Sequence, residues 1–220
     1  MQYRQAITTV DVVLLTLESK KLHVVLVKRD KDPFAGQYAL PGGFVHTQTD
    51  ADSRAAARRV LEQKTGIKAP YLEQLYTFSG PDRDPRGWSF SVTYYALVAE
   101  EVLLARKPDD VMLAPVDALP ELAFDHDEIV AFALQRVRDK SSYTALPCYL
   151  LPKEFTLREL QSTYEQVRGV PLDKSSFRKK LEDLDFLELV EGRFRGGKQR
   201  PAQLYRLRRE KSLTIFDRTV

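Results

Sequence analysis

The chain has 220 residues, 43% of them hydrophobic and 30% charged, with 34 Lys and Arg against 31 Asp and Glu for a formal net charge of +3. This composition suits a globular protein large enough for two small domains and excludes collagen-like and intrinsically disordered classes. No apolar run approaches the roughly 18 residues of a membrane span, residues 1–5 lack the pattern of a signal peptide, and the single cysteine, Cys148, rules out an intrachain disulfide; a cytoplasmic protein with no membrane partner is expected.

In chain order, residues 8–17 and 22–28 are dense in β-branched and aliphatic side chains and read as strands, joined by the polar turn Glu18-Ser19-Lys20-Lys21. Asp32-Pro33-Phe34-Ala35-Gly36 is a loop, and residues 38–40 form a short extended piece. Residues 53–64 put Ala56, Val60 and Leu61 on one helical face, and Gly66 ends that helix. Residues 72–79 and 89–98 read as strands around a charged loop, and 125–139 as an amphipathic helix with Asp125 as N-cap. A linker is expected over 141–152, punctuated by Pro147 and Pro152. Thr156 and Glu159 have capping-box spacing and open a helix to Val167. A tight turn at 169–172, a second helix at 175–184 and extended segments at 187–190 and 202–207 complete the chain. The expected fold class is α+β, with helices and a mixed sheet in residues 1–145 and two helices followed by a hairpin in residues 146–220.

Charge follows the same division. Residues 1–140 hold 18 basic and 20 acidic side chains, net −2, and residues 141–220 hold 16 and 11, net +5. Such asymmetry is expected when one half meets a polyanion.

Leu40-Pro41-Gly42-Gly43-Phe44-Val45, followed by a helix ending Lys64-Thr65-Gly66-Ile67, resembles the Nudix box. In that family a loop-helix-loop presents several carboxylates on one helical turn, which hold Mg²⁺ against a diphosphate and activate water. Aligned on Gly66 and Ile67, Arg59 matches the family arginine and Leu61 the apolar position, but Val60, Gln63 and Lys64 stand where the family has Glu. Glu62 falls at the variable position between them. Gly43 to Arg59 is two residues longer than the family spacing, and Thr49, Asp50, Ala51 and Asp52 compete for the remaining Glu position. A Mg²⁺ site needs compact oxygen ligands. Their loss implies a domain without diphosphate hydrolysis, with no catalytic residues, no bound metal and no required cofactor. His23, His46 and His126 lack metal-ligand spacing with Cys148 and read as surface or capping residues.

Loss of the metal leaves the pocket. The segment from Gly80 to Trp88, with Arg83 and Arg86, resembles the loop of Nudix proteins acting on ADP-ribose, and its arginines suit bidentate bonds to a diphosphate. Phe78 or Trp88 would stack on a base. Arg29 and Arg59 are further phosphate candidates, although the resemblance also implies a structural ion pair for Arg59. The effector so implied is ADP-ribose or a related NAD-derived dinucleotide.

In the C-terminal half, helix, turn, helix and basic hairpin follow in the order of a winged helix-turn-helix. Lys174, Ser175, Ser176, Arg178 and Lys179 open the second helix and suit base edges and phosphates. Phe177, Leu181 and Leu184 should face the core. Arg193, Arg195, Lys198 and Arg200 flank Gly196-Gly197 as the wing. With Phe124-Asp125-His126, the chain from about 5 to 210 resembles the NrtR family of Nudix-related transcriptional regulators of NAD metabolism. The resemblance implies a homodimeric repressor of NAD-biosynthesis or salvage genes, bound to palindromic operator DNA and modulated by ADP-ribose. Two other readings compete: an active Mg²⁺-dependent nucleotide diphosphate hydrolase with an accessory domain, and a scaffold whose basic half binds RNA or an acidic protein.

Overall fold

A computed structural model describes residues 5–105, 110–196 and 201–208. They divide into two compact units, one of the described residues within 5–16 and 22–134 and the other of those within 17–21 and 135–208.

The first unit is a seven-stranded mixed sheet with helices. Its elements are β1 (Ile7–Glu18), β2 (Lys21–Lys28), β3 (Tyr38–Ala39), β4 (Gly42–Phe44), α1 (Ser53–Thr65), β5 (Tyr71–Gly80), β6 (Ser89–Leu97), α2 (Glu100–Leu104), β7 (Val111–Pro115) and the start of α3 (His126–Ser141). The strand order is β3-β2-β1-β6-β5, with β4 on β1 and β7 on β2. β1 runs parallel to β6, and β5 antiparallel to it. β1 lies at the centre, which explains its near-continuous apolar run from Val10 to Leu17: a strand covered on both faces needs no polar alternation. Ser19 and Lys20 take left-handed backbone conformations and make the two-residue turn into β2. The strands β4 and β7 and the helix α2 are additions to the sequence reading. β4 and α2 have only three and five residues, too few for a visible period.

The core of this unit joins Val10, Val12, Leu14, Val25 and Val27 to Ala56, Ala57, Val60 and Leu61 of α1. Asp52 caps α1 by accepting from the Ala55 amide at 2.6 Å, worth about 1 kcal/mol. Gly66 ends it at φ 68°, where a Cβ would be strained.

The second unit contains a 3₁₀ turn at Leu146–Leu150, α4 (Leu157–Arg168), α5 (Lys174–Leu184) and the antiparallel ribbon β8 (Leu187–Arg195) and β9 (Ala202–Leu207). The capping box is formed: Thr156 accepts from the Glu159 amide, and Glu159 accepts from the Thr156 amide at 2.7 Å. Phe155, Leu160, Tyr164, Phe177, Leu181 and Phe186 make the core, with Leu184 half-buried against it. The stretch expected as a linker is packed. Leu146, Pro147, Cys148 and Leu150 are buried, and the Tyr164 hydroxyl donates to the Thr144 carbonyl at 2.9 Å. The two prolines therefore shape a compact turn under α4, and burial pushes the Cys148 thiol well above its usual range.

Candidate functional site

A cavity of about 450 Å³ in the first unit is lined by β1, β4, the second half of α1, the loops after β2 and β5, and the approach to α3. β4 is laid along β1, pairing Gly42 with Asp11. A Cβ on residue 42 would lie 1.8 Å from Asp11 Oδ1, so only glycine lets the strand cross the buried carboxylate.

On α1, Arg59, Val60, Gln63 and Lys64 line the cavity. The three positions that carry carboxylates in the Nudix pattern therefore present an alkyl group, a neutral amide and an ammonium. Glu62 is not among the lining residues; it lies 3.1 Å from Lys68 in an exposed ion pair. Asp50 is engaged by Arg59, which donates to its two oxygens at 2.8 and 2.7 Å and to the Phe44 carbonyl at 3.0 Å. This hydrogen bond holds the Asp50 carboxyl at about 2. The two buried carboxylates that line the cavity are also engaged, Asp11 with Ser91 and Asp84 with Arg86. Among the described residues no group of three or more His, Cys, Asp or Glu is arranged to hold a metal ion. The donor set does not fit Mg²⁺.

What the cavity offers is guanidinium. Arg29, Arg59, Arg83 and Arg86 all line it. Arg83 donates to both Asp125 oxygens at 2.7 and 2.8 Å, and Arg86 to Asp84 at 2.6 and 2.9 Å. Burial alone would raise the Asp84 carboxyl, but the bonds from Arg86 outweigh it and hold it low. Arg29 differs: its hydrogen bonds go to the carbonyls of Pro33 and Lys31, at 2.9 and 3.2 Å. Its guanidinium lies 4.7 Å from the Phe124 ring centre, and burial and the charge of Arg86 lower its pKa. Two cations that repel one another across a concave surface are relieved by a bound polyanion.

Phe78 and Trp88, expected to stack on a base, do not line this cavity. Phe78 sits on edge strand β5, 5.4 Å from Tyr76 and 5.9 Å from Phe132 of α3, and Trp88 packs on Phe90 at 6.3 Å. The aromatic faces at the cavity belong instead to Phe44, half exposed and 5.2 Å from the Arg86 guanidinium, and to Phe124. Phe44 stands in the box motif itself and was legible as a neighbour of Gly43.

The histidines also differ from the sequence reading. His23 and His126 are buried rather than superficial. His126 lies in the cavity floor, where its Nδ1 accepts from the Leu40 amide at 2.9 Å and its Nε2 is 3.6 Å from Asp11 Oδ1. Burial lowers its pKa, against the opposing pull of Asp11. Asp11 Oδ2 accepts from the Ser91 hydroxyl at 2.6 Å.

In the second unit Lys174, Ser175, Ser176, Arg178 and Lys179 are all exposed at the start of α5, while Phe177 turns inward. Asp173 caps the helix by accepting from the Ser176 amide at 2.8 Å. The wing arginines are engaged within the unit. Arg193 pairs with Glu154 at 3.0 Å, and Arg195 pairs with Glu159 and donates to the Glu154 carbonyl at 3.1 Å. The hairpin folds back toward the start of α4, where Arg193 meets Glu154 and Arg195 meets Glu159 of the capping box. Lys198 and Arg200 lie outside the described residues.

Two family models match the chain: the Nudix domain over residues 7–133 and the NrtR DNA-binding winged helix domain over residues 147–207. The ADPR-responsive transcriptional repressor NtrR of Acinetobacter baylyi is 39% identical over 209 residues, which are 93% of this chain and 83% of that protein. The crystal structure of Shewanella oneidensis NrtR complexed with a 27mer DNA superposes with a TM-score of 0.91 at 36% identity, covering 97% of this chain and 99% of that one. The Nudix domain of the same Shewanella protein, cocrystallised with ADP ribose, matches 61% of this chain and 90% of its own, with a TM-score of 0.54 and 36% identity. Among the described residues no helix is long and apolar enough to cross a membrane.

Proposed function

Because the chain belongs to the NrtR family, in which a Nudix domain is joined to a winged-helix DNA-binding domain, we propose that it is a transcriptional repressor that binds a palindromic operator as a homodimer and is modulated by ADP-ribose or a related NAD-derived dinucleotide held, without hydrolysis, in the Nudix cavity. The genes so controlled are those of NAD biosynthesis or salvage, as the family resemblance implies.

The observation that carries this reading is the lining of the cavity: arginines converge on it, while Val60, Gln63 and Lys64 replace the metal-binding carboxylates. Binding without turnover is what a sensor requires, since a ligand that is not consumed can hold a conformational equilibrium in one position. The exposed row of Lys174, Ser175, Ser176, Arg178 and Lys179 at the start of α5 supplies the reading head. Relatives named for ADP-ribose responsiveness and for a DNA complex support both halves.

The test is a fluorescence titration of the full-length protein against a duplex recovered by selection from random DNA, with and without ADP-ribose. An enriched palindrome and a shift in operator affinity of about 5- to 150-fold, the usual range of coupling between sites, are expected. Selection that returns no duplex overturns the DNA-binding half, and an unchanged affinity at saturating ADP-ribose overturns the sensor half. Incubation with Mg²⁺ and ADP-ribose should release no AMP; turnover on the order of 1–10³ s⁻¹, as in ordinary enzymes, would refute the argument from the missing carboxylates.

A further inference from the structure

We propose that Asp125 is a ligand-sensitive latch on α3: a diphosphate that takes hydrogen bonds from Arg83 frees Asp125, and the change at the start of that helix couples the cavity to DNA binding. This inference rests on the dinucleotide-sensing reading above and assigns a route for its regulation.

Three consecutive residues at the start of α3 are each gripped by a residue that lines the cavity. Phe124 lies against the Arg29 guanidinium, 4.7 Å from its ring centre. Asp125 accepts from Arg83 on both oxygens, at 2.7 and 2.8 Å. His126 Nδ1 accepts from the Leu40 amide at 2.9 Å. The backbone there is strained. Phe124 is at φ 59°, a left-handed conformation that is unfavourable for a bulky side chain. Phe34, whose ring meets Phe124 edge-on at 4.8 Å, is at φ 65°. Such conformations persist only where surrounding contacts over-determine them, so the grip of the two arginines helps to hold the segment in place.

Arg83 is the point at which a ligand can loosen that grip. Its Nε and Nη2 are spent on Asp125, its Nη1 donates to the Ser89 hydroxyl at 3.4 Å, and its side chain is only 10% exposed. A diphosphate that takes hydrogen bonds from it therefore competes with Asp125, and the negative charge of the diphosphate repels the carboxylate. The freed carboxylate has another partner at hand. Asp125 precedes α3, and its carbonyl accepts from the Ile129 amide at 3.2 Å. An aspartate at that position caps a helix by turning its side chain to the amides of the first turn. The segment thus has two arrangements with its charges satisfied: Arg83 paired with Asp125, as in this structure, or Arg83 on a phosphate and Asp125 on its own helix. An element with two such arrangements is what a ligand can bias. α3 is one helix from His126 to Ser141; its residues 126–134 belong to the first unit and its residues 135–141 to the second. The latch therefore sits at one end of an element that both units share. Asp125 is a positioning residue in this device, acting through Arg83.

The experiment measures the operator affinity of full-length wild type and Asp125→Asn by fluorescence titration, with and without saturating ADP-ribose, and ADP-ribose affinity by calorimetry. In the wild type ADP-ribose should shift operator affinity by about 5- to 150-fold. Asp125→Asn should bind ADP-ribose at least as tightly as wild type, since no carboxylate has to be displaced. Its operator affinity should nevertheless change by less than about threefold when ADP-ribose is added, below the range of coupled sites. A merely structural role for Asp125 would lower affinities and leave that ratio alone, so a variant that keeps the full wild-type shift overturns the latch. A variant that loses ADP-ribose binding altogether also overturns it. Hydrogen exchange on the wild type keeps the test valid where the variant folds poorly: ADP-ribose should change the protection of the amides of residues 126–130, and unchanged protection there overturns the proposal. A wild type whose operator affinity ignores ADP-ribose overturns the sensing reading itself, which is a distinguishable outcome.

Discussion

Arg29→Ala isolates the electrostatic part of ligand recognition. Among the cavity arginines, removing Arg83 or Arg86 would strip Asp125 or Asp84 of a bidentate partner, so lost binding would be confounded with lost structure. Arg29 is bonded to the carbonyls of Pro33 and Lys31 and faces Phe124, so its removal leaves no such orphaned carboxylate. The variant forgoes one cation–π contact and two bonds to loop carbonyls, a stability cost of about 1.5–4 kcal/mol. A guanidinium that reaches a phosphate contributes a hydrogen bond to a charged group, about 1.5–3 kcal/mol, so the dissociation constant for ADP-ribose should rise about 10- to 150-fold. Arg29→Lys keeps the charge but not the fork and should fall between the two. Calorimetric titration at fixed ionic strength reads the effect, with thermal unfolding run in parallel to separate folding from binding. An Arg29→Ala protein that binds ADP-ribose within about threefold of wild type would show that the guanidinium does not reach the diphosphate, and the repulsion between Arg29 and Arg86 would then need another explanation.

Arg178→Ala should weaken operator binding by roughly 1–3 kcal/mol if this exposed side chain reads a base, as a competition titration would measure; unchanged affinity removes it from the reading head. Glu154→Gln releases Arg193 from its ion pair and should strengthen DNA binding by up to about fivefold, since exposed pairs are worth about 0–1 kcal/mol; weaker binding would mean that the pair shapes the wing. The Asp50 carboxyl is held at about 2 by Arg59, below the ordinary 3.8, so the stability it contributes is complete above about pH 5 and disappears as pH falls through 4 toward 2. Urea midpoints between about pH 6 and pH 2.5 should therefore fall less steeply in Asp50→Asn than in wild type, and parallel curves would show that the pair does not stabilise the fold.

Long periodic elements were legible because a single signal decided each of them. The apolar run of β1, the Ala56, Val60 and Leu61 face of α1 and the Thr156–Glu159 capping box each state a local preference that the tertiary structure then uses. The segment from 141 to 152 misled because its prolines carry two meanings. Pro147 breaks regular helix as a linker proline would, yet its ring and the neighbouring Leu146 and Cys148 are buried in the second unit. Proline marks where a helix cannot continue, and says nothing about whether the turn it makes is open or packed.

The cavity shows a sharper limit. The residues of the Nudix motif pointed to it because their spacing on α1 fixes which of them share a face: Val60, Gln63 and Lys64 arrive together while Glu62 does not. Nothing comparable links Asp11 to His126, which lie in β1 and at the start of α3 with most of the first unit between them. Their meeting depends on β4 crossing β1 at Gly42, a pairing three residues long. Phe78 and Trp88 lie away from this cavity for the same reason. Phe78 and Trp88 are near Arg83 and Arg86 in sequence, but β5 forms the sheet edge and turns Phe78 toward Phe132. Phe44 reaches the guanidinium of Arg86 across 42 residues. Charge could be assigned to this pocket by counting arginines along the chain. The buried polar groups of its floor come from β1, β6 and the start of α3, and only the tertiary fold brings them together.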